Sequence, residues 1–90
     1  MLYMVIERFK NQEAAPVYRR FRDNGRMMPE GLEYLSSWVD IKLERCFQVM
    51  ETSDPTLMAE WIENWSDIVD FDVVPVMSSA DAARAVRSTM

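Results

Sequence analysis

The residues of this chain best suited to hold a ligand are aromatic and hydroxyl side chains spaced two apart. Tyr34, Ser36 and Trp38 alternate along an apolar segment, and alternate residues of a β-strand point to the same face. Small-molecule sites are mostly apolar and aromatic, with a few polar groups that orient the ligand. These three residues form the first candidate site, with the packed core of an ordinary strand as the alternative.

Four more residues belong to this candidate site because the predicted fold brings them near. Met28 lies in the loop before that strand, and Trp61 and Trp65 lie four residues apart on the apolar face of a predicted helix. Methionine and aromatic side chains at such spacing also fill cores, so core packing stays open for them. Arg26 begins the same loop and could bind an anionic group or place a proton, with a solvated loop charge as the alternative.

The composition excludes several kinds of catalysis. The chain has no histidine and one cysteine, Cys46, which removes Ser-His-Asp and Cys-His pairs and the common zinc, non-haem iron and haem ligands. Cys46 lies in an apolar segment, so we expect a buried, unreactive thiol in a reducing compartment. The two glycines form no phosphate-binding loop. We therefore expect no metal and no cofactor, and the sequence assigns no catalytic residue.

Charge and hydropathy set limits on the partners and the location of the chain. The net charge is −5, although residues 1–26 hold six basic and three acidic groups. An acidic chain is a poor match for nucleic acid, whose binding depends on neutralised phosphates. No apolar run approaches the roughly 20 residues that cross a bilayer, and the first residues lack the features of a signal peptide. We expect a cytoplasmic protein that binds neither nucleic acid nor membrane.

The elements that must position these residues follow a β-α-β-β-α-β order. Apolar and β-branched segments predict strands over residues 2–9, 32–39, 45–50 and 71–77. Helical spacing predicts one helix that ends at Asn24-Gly25, a second that starts at Asp54-Pro55, and a short third one over residues 80–87. This order predicts an α+β, ferredoxin-like βαββαβ fold with a four-stranded antiparallel sheet and both longer helices on one face. Pro75 predicts an edge position or a bulge, and residues 1–90 are expected to form a single domain.

Both faces of this predicted sheet are apolar, although two helices can cover only one of them. Every strand has apolar residues in both of its alternating phases. The uncovered face measures about 350 Å² in plan, from four strands of roughly 18 Å at a spacing of about 4.8 Å. We predict a homodimer joined through these sheet faces. The alternative is that the C-terminal helix covers the face, but its alanines and Val86 form only a thin apolar surface.

Several segments resemble a family of small prokaryotic proteins known only as a domain of unknown function. They are residues 2–9, the loop 26–32, residues 36–40, Trp61 with Trp65, and residues 70–76. The resemblance covers nearly the whole chain and implies a dimeric α+β barrel, in which two ferredoxin-like sheets face each other. Other dimeric α+β barrels include ligand sensors, cofactor-independent monooxygenases, isomerases and haem enzymes. The missing histidine argues against the haem-handling members.

Two functions stay open at this point. The first is a module that binds a small apolar or aromatic ligand, or another partner, without catalysis. The second is a cofactor-independent enzyme of the monooxygenase or isomerase kind that acts on a small aromatic or apolar metabolite, and fold analogy cannot decide between them. A closed pocket between helices and sheet, lined by Tyr34 and Trp38 or by Trp61 and Trp65, would favour a ligand. A solid core there would eliminate the enzyme.

Overall fold

The computed structural model describes residues Met1 to Met90 and has the predicted order of elements. They are β1 (Leu2–Phe9), α1 (Ala15–Asn24), β2 (Glu33–Val39), β3 (Arg45–Glu51), α2 (Pro55–Glu63), β4 (Val69–Val76) and α3 (Ser79–Arg87). A 3-10 turn, Lys10–Gln12, follows β1. The predicted α+β class and βαββαβ order are confirmed, and β4 starts two residues earlier than predicted.

The four strands form one antiparallel sheet in the order β2-β3-β1-β4. β1 and β3 occupy the centre, so α1 connects β1 and β2 across β3, and α2 connects β3 and β4 across β1. This split arrangement is that of the ferredoxin-like fold, and it leaves β2 and β4 as the edges. Pro75 lies in β4 opposite Tyr3. Its predicted edge position is confirmed, and the reason is that proline cannot donate to a hydrogen-bond ladder.

Local signals define where the two longer helices begin and end. The Asp54 side chain caps α2 by accepting a hydrogen bond from the Thr56 backbone N–H at 3.0 Å, and Pro55 takes the first helical position. At the end of α1, the Gly25 N–H donates to the Phe21 carbonyl at 2.8 Å, and Gly25 has a φ of 68°. The loops that follow these helices therefore start at defined points.

The core lies between one face of the sheet and the helices α1 and α2. Its buried apolar residues are Val5, Phe9, Val17, Leu32, Cys46, Met50, Met58, Trp61, Trp65 and Val69. Trp65 lies in the turn after α2 and not on the helix, but its side chain packs in this core. Arg20 of α1 reaches the same turn through two hydrogen bonds of 2.7 Å to the Asp67 carboxylate. The two helices are thereby linked above the sheet.

No element of the chain covers the opposite face of the sheet, which we call the open face. It carries Leu2, Met4, Ile6, Trp38, Phe47, Val49, Val74 and Val76. Trp38 is 60% exposed and Val74 44%. No residue of α3 is buried, and Val86 on that helix is 56% exposed. Helix α3 therefore leaves Trp38 and Val74 of this face exposed, which argues against the alternative in which the C-terminal helix covers it.

Candidate functional site

A cavity of about 110 Å³ lies between the core side of the sheet and the helices. Its apolar walls are Phe9, Val17, Phe21, Val39, Trp61 and Trp65. Its polar lining is Glu7, Tyr18, Arg26, Ser37, Cys46 and Gln48. A mostly apolar hollow with a few polar groups has the usual form of a small-molecule site. A pocket against Trp61 and Trp65 is thus present, although it is partly open to solvent and not closed as predicted.

Two polar side chains are buried in the floor of this cavity, on the two central strands. Glu7 of β1 is 4% exposed and Gln48 of β3 is 6% exposed. They share the face under the helices because Val5 pairs with Gln48, and Glu7 pairs with Cys46. The Gln48 Nε2 group donates a hydrogen bond to Glu7 Oε2. Gln48 Oε1 is buried and has no donor within the protein, which is an uncommon and costly state for a polar atom.

Burial controls the protonation of Glu7. Desolvation raises the pKa of this carboxyl above its ordinary value of 4.5, while hydrogen bonds from Gln48 and Cys46 and the charge of Arg26 oppose the rise. A buried carboxyl of this kind exchanges its proton closer to neutral pH than an exposed one does. Glu7 is therefore the group in the cavity best suited to acid–base chemistry.

The single cysteine lines the same cavity but is not an activated nucleophile. Cys46 is 9% exposed. Its burial, reinforced by the neighbouring Glu7 carboxylate, raises the pKa of the thiol to about 12. The reactive form of cysteine is the thiolate, which is scarce at neutral pH with such a pKa. The structure agrees with the predicted buried and unreactive thiol. No three side chains of the types that bind metals come together as a possible metal site.

Side chains of α2 and its following turn hold the loop after α1 at the edge of the cavity. The indole Nε1 groups of Trp61 and Trp65 both donate to the Arg26 carbonyl oxygen, at 2.9 and 3.0 Å. The Asn64 Nδ2 group donates to the Met27 carbonyl oxygen at 3.1 Å. Buried indole N–H groups usually find such a partner. Here these bonds fix the loop backbone, and with it the origin of the Arg26 side chain.

The Arg26 guanidinium lies against two aromatic rings and is not paired with a carboxylate. Its Cζ atom is 3.7 Å from the centre of the Tyr34 ring and 5.0 Å from that of Phe21. Cation–π contacts of this kind hold the flat group in place. None of the ion pairs in the chain includes Arg26. Its positive charge is therefore available to a ligand.

The structure divides the first three candidate residues between the two faces of the sheet. A β-bulge between Tyr34 and Ser36 shifts the phase of β2 by one residue. Tyr34 points to the helix side, where its hydroxyl oxygen lies 2.7 Å from Ser37 Oγ in a hydrogen bond. Ser36 and Trp38 point to the open face. The prediction that Tyr34, Ser36 and Trp38 share one face is therefore wrong.

The other four candidates lie on the helix side. Arg26, Trp61 and Trp65 line the cavity, while Met28 packs against the core without lining it. Tyr34 is not part of the lining either, but its ring supports the Arg26 guanidinium. The structure thus brings three of the seven candidates, Arg26, Trp61 and Trp65, into one cavity. It places a fourth, Tyr34, directly behind Arg26.

Sequence reasoning missed the polar floor of the cavity. Glu7 alternates with the buried residues Val5 and Phe9 of β1. Gln48 alternates in the same way with the buried residues Cys46 and Met50 of β3. Polar residues in the buried phase of an apolar strand are costly unless they have partners. That phase was the signal that could have identified both residues, and it was visible in the sequence.

A comparison with known protein families matches residues 1–90 to the family described as Domain of unknown function (DUF3303). The chain belongs to this family. No curated protein matches the chain, and no solved structure matches it. Membership confirms the resemblance to a domain of unknown function but brings no activity with it. The function has to be argued from the site itself.

Proposed function

We propose that this protein binds a small, mostly apolar organic ligand in the cavity between its sheet and its helices. The observation that carries the proposal is Gln48 Oε1, a buried acceptor without a donor on a residue that lines the cavity. Native proteins rarely leave such an atom unsatisfied, and each exception calls for a physical reason. A ligand with a hydrogen-bond donor supplies one, and the aromatic walls bind its apolar part.

The volume of the cavity limits the ligand. It measures about 110 Å³, against about 150 Å³ for an engineered apolar cavity that binds benzene. The buried part of the ligand is therefore no larger than about one ring. Phe9, Trp61 and Trp65 offer such a ring apolar surfaces to pack against.

Thermal unfolding in the presence of one-ring aromatic compounds tests this proposal. A compound at a hundred times its Kd should raise the free energy of unfolding by about 2.7 kcal/mol. Val39→Phe adds volume to a cavity wall and should abolish the response. Val49→Phe adds the same group to the open face and should leave the response unchanged. A response that survives Val39→Phe, or no response to any compound, would contradict ligand binding in this cavity.

Glu7 favours a second candidate function, a cofactor-independent enzyme of the isomerase or monooxygenase kind. A buried carboxyl with a raised pKa can take a proton from a bound substrate and return it. The hydrogen bond from Gln48 orients this carboxyl. In such an enzyme the substrate supplies its own reactivity, and Glu7 is the base.

Proton exchange on a bound ketone separates the two functions. Phenylpyruvate has one ring and an acidic CH₂ group, whose exchange with D₂O can be followed by NMR. An enzyme should accelerate this exchange, and Glu7→Gln should remove the acceleration while binding persists. A binding module should bind the compound without accelerating exchange, and that result would eliminate Glu7 as a catalytic base for it.

We also infer that two copies pair through their open faces into a dimeric α+β barrel. The support is the apolar row on that face, which no element of the chain covers. Two faces of about 350 Å² supply roughly 700 Å² in plan, less than the roughly 1,200 Å² of a typical stable interface. Helix α3 has no buried residue, so packing of α3 on the partner would supply the remainder.

Sedimentation equilibrium tests the pairing. At micromolar concentration the protein should have about twice the mass of one chain. Val49→Asp places a charge on the open face and should give monomers, whereas Lys42→Asp, in the exposed loop between β2 and β3, should not. A wild-type monomer at these concentrations would refute the pairing and leave the ligand site untouched.

The remaining expectations come from composition alone. None of the three helices has the length and apolar character needed to cross a bilayer. A cytoplasmic location and a lack of nucleic-acid binding stay predictions from the cysteine usage and the net charge of −5.

A further inference from the structure

On the basis of the ligand site proposed above, we propose that the cavity selects a one-ring hydroxy acid. The hydroxyl donates to Gln48 Oε1 in the floor, and the carboxylate stays at the edge on the Arg26 guanidinium. The ring between these ends lies against the aromatic walls. The two polar positions thus determine both the class of ligand and the direction in which it enters.

The floor of the cavity accepts hydrogen bonds and repels anions. Gln48 Nε2 already donates to Glu7, and the unsatisfied atom, Oε1, can only accept. The Glu7 carboxylate beside it is a second acceptor. A ligand hydroxyl satisfies this arrangement. A ligand carboxylate in the same place would face an amide oxygen and another carboxylate, which is unfavourable in a buried site.

The edge of the cavity has the opposite character. Arg26 is the one basic side chain in the cavity lining, and a guanidinium binds a carboxylate through two parallel N–H···O bonds. Its position is set before any ligand arrives, since the guanidinium stacks on Tyr34 and the backbone carbonyl accepts from Trp61 and Trp65. Such preorganisation lowers the entropy that binding would otherwise lose.

Size and charge together exclude other small ligands. An organic cation would meet the Arg26 charge at the edge, and a diacid would place its second carboxylate beside Glu7. A body of two or more rings does not fit in about 110 Å³. What remains is one ring, or an aliphatic body of equal size, with a hydroxyl at one end and an acid at the other.

Three compounds of nearly equal size test the assignment on the unaltered protein. para-Hydroxybenzoate carries both groups, para-toluate replaces the hydroxyl by a methyl group, and para-cresol replaces the carboxylate by a methyl group. Calorimetry should give para-hydroxybenzoate an affinity about tenfold higher than either of the others, because each missing group leaves a polar position unpaired. Equal affinities would overturn this assignment and leave the apolar ligand site in place. Failure of all three to bind would overturn both.

Two variants assign the two ends of the ligand separately. Arg26→Met removes the charge and keeps an unbranched side chain. In this variant para-hydroxybenzoate should lose its higher affinity relative to para-cresol and keep its higher affinity relative to para-toluate; we call these two differences its advantages over the two compounds. Gln48→Met should have the reverse effect. If Gln48→Met does not fold, the affinities of para-hydroxybenzoate and para-toluate for the unaltered protein decide whether the cavity recognises the hydroxyl. Retention of both advantages in Arg26→Met would overturn the assignment of the ligand carboxylate to Arg26.

Arg45→Met is the matched control for the charge. The Arg45 guanidinium also lies over an aromatic ring, with Cζ 5.4 Å from the centre of Phe47, but Arg45 does not line the cavity. The variant should therefore change neither advantage. Loss of the advantage over para-cresol in Arg45→Met would show that general charge, and not the Arg26 position, recognises the acid, and it would overturn the assignment.

Discussion

Each face of the sheet departs from the usual distribution of polarity, the covered face by two buried polar side chains and the open face by its exposed apolar ones. The face under the helices buries Glu7 and Gln48 at 4% and 6% exposure, whereas the open face exposes Trp38 at 60%. Antiparallel sheets more often pack an apolar face on the core and turn a polar face to water. The first departure is costly unless a donor reaches the buried acceptor, and the second is costly unless an apolar surface covers the open face. This difference is why we assign a small molecule to one face and a second copy to the other.

The largest effect should come from truncating a tryptophan on the covered face. Trp61 is 2% exposed and donates to the Arg26 carbonyl. Trp61→Ala should lower the free energy of unfolding by about 3–5 kcal/mol at every protein concentration. Because Trp38 lies on the open face, Trp38→Ala should lower only the part of the free energy of unfolding that rises with protein concentration. Urea unfolding at two concentrations measures both, and an equal, concentration-independent loss in Trp38→Ala would break the comparison.

The fold could be predicted because its signals act over a few neighbouring residues. Asp54-Pro55 starts a helix through a cap and a preset φ angle, and Asn24-Gly25 ends one. Alternation along each strand is equally local, and the four strands lie within two residues of their predicted bounds. Trp61 could be assigned to the site for the same reason, because helical spacing places it on the apolar face of α2, whereas Trp65 reaches the cavity from the turn after that helix.

Strand phase could have identified Glu7 and Gln48 one by one, but which residues meet in the site depends on the pairing of distant strands and could not be predicted in the same way. The bulge that separates Tyr34 from Trp38 is a matter of register between β2 and β3, and the residues of β2 alone do not specify it. Glu7 and Gln48 meet because β1 pairs with β3. The role of Arg26 depends on a loop held by side chains 35 and 39 residues further along the chain.

A smaller effect is expected in the reactivity of thiols on the two faces. Burial raises the pKa of the Cys46 thiol to about 12 from an ordinary 9.0. At pH 8 the thiolate fraction falls about a thousandfold, partly offset by the higher nucleophilicity of a more basic thiolate, so Cys46 should react about fiftyfold more slowly than an ordinary thiol. Labelling with an aromatic disulfide in native buffer and in urea measures this ratio.

The matched thiol on the open face is Ser36→Cys in a Cys46→Ala background. It should react at the ordinary rate in dilute protein and more slowly as the concentration rises and copies pair. Native Cys46 that reacts as fast as the urea-unfolded chain would show that the covered face is accessible to solvent. It would then contradict the difference between the two faces.

The smallest effect concerns the dependence of stability on pH. Burial raises the pKa of Glu7 above 4.5, so the folded state binds more protons than the unfolded chain between pH 4.5 and the folded pKa. The free energy of unfolding should therefore fall as pH rises through that window, by at most about 1.4 kcal/mol per pH unit. Cys46 and Tyr18, which face Glu7, have raised pKa values and stay neutral there.

Glu7→Gln tests this dependence because it keeps an acceptor for Gln48 and removes the titrating group. The variant should lose the fall in stability above pH 4.5. Asp72→Asn is the control on the open face, where Asp72 pairs with Arg8 in an exposed ion pair, and it should keep the fall. Urea unfolding at a series of pH values gives the slopes, and an unchanged slope in Glu7→Gln would assign the dependence to another group.

The proline in the edge strand β4 has a consequence for how many copies can associate. An uninterrupted edge strand is a template onto which further strands add without limit, as in amyloid fibrils. Pro75 removes one donor from that edge, and the bulge in β2 disturbs the other edge. Growth in the plane of the sheet is therefore opposed on both sides, and in the proposed dimer a single partner would occupy the open face. With the pairing proposed above, association would close at two copies and would not extend into fibres.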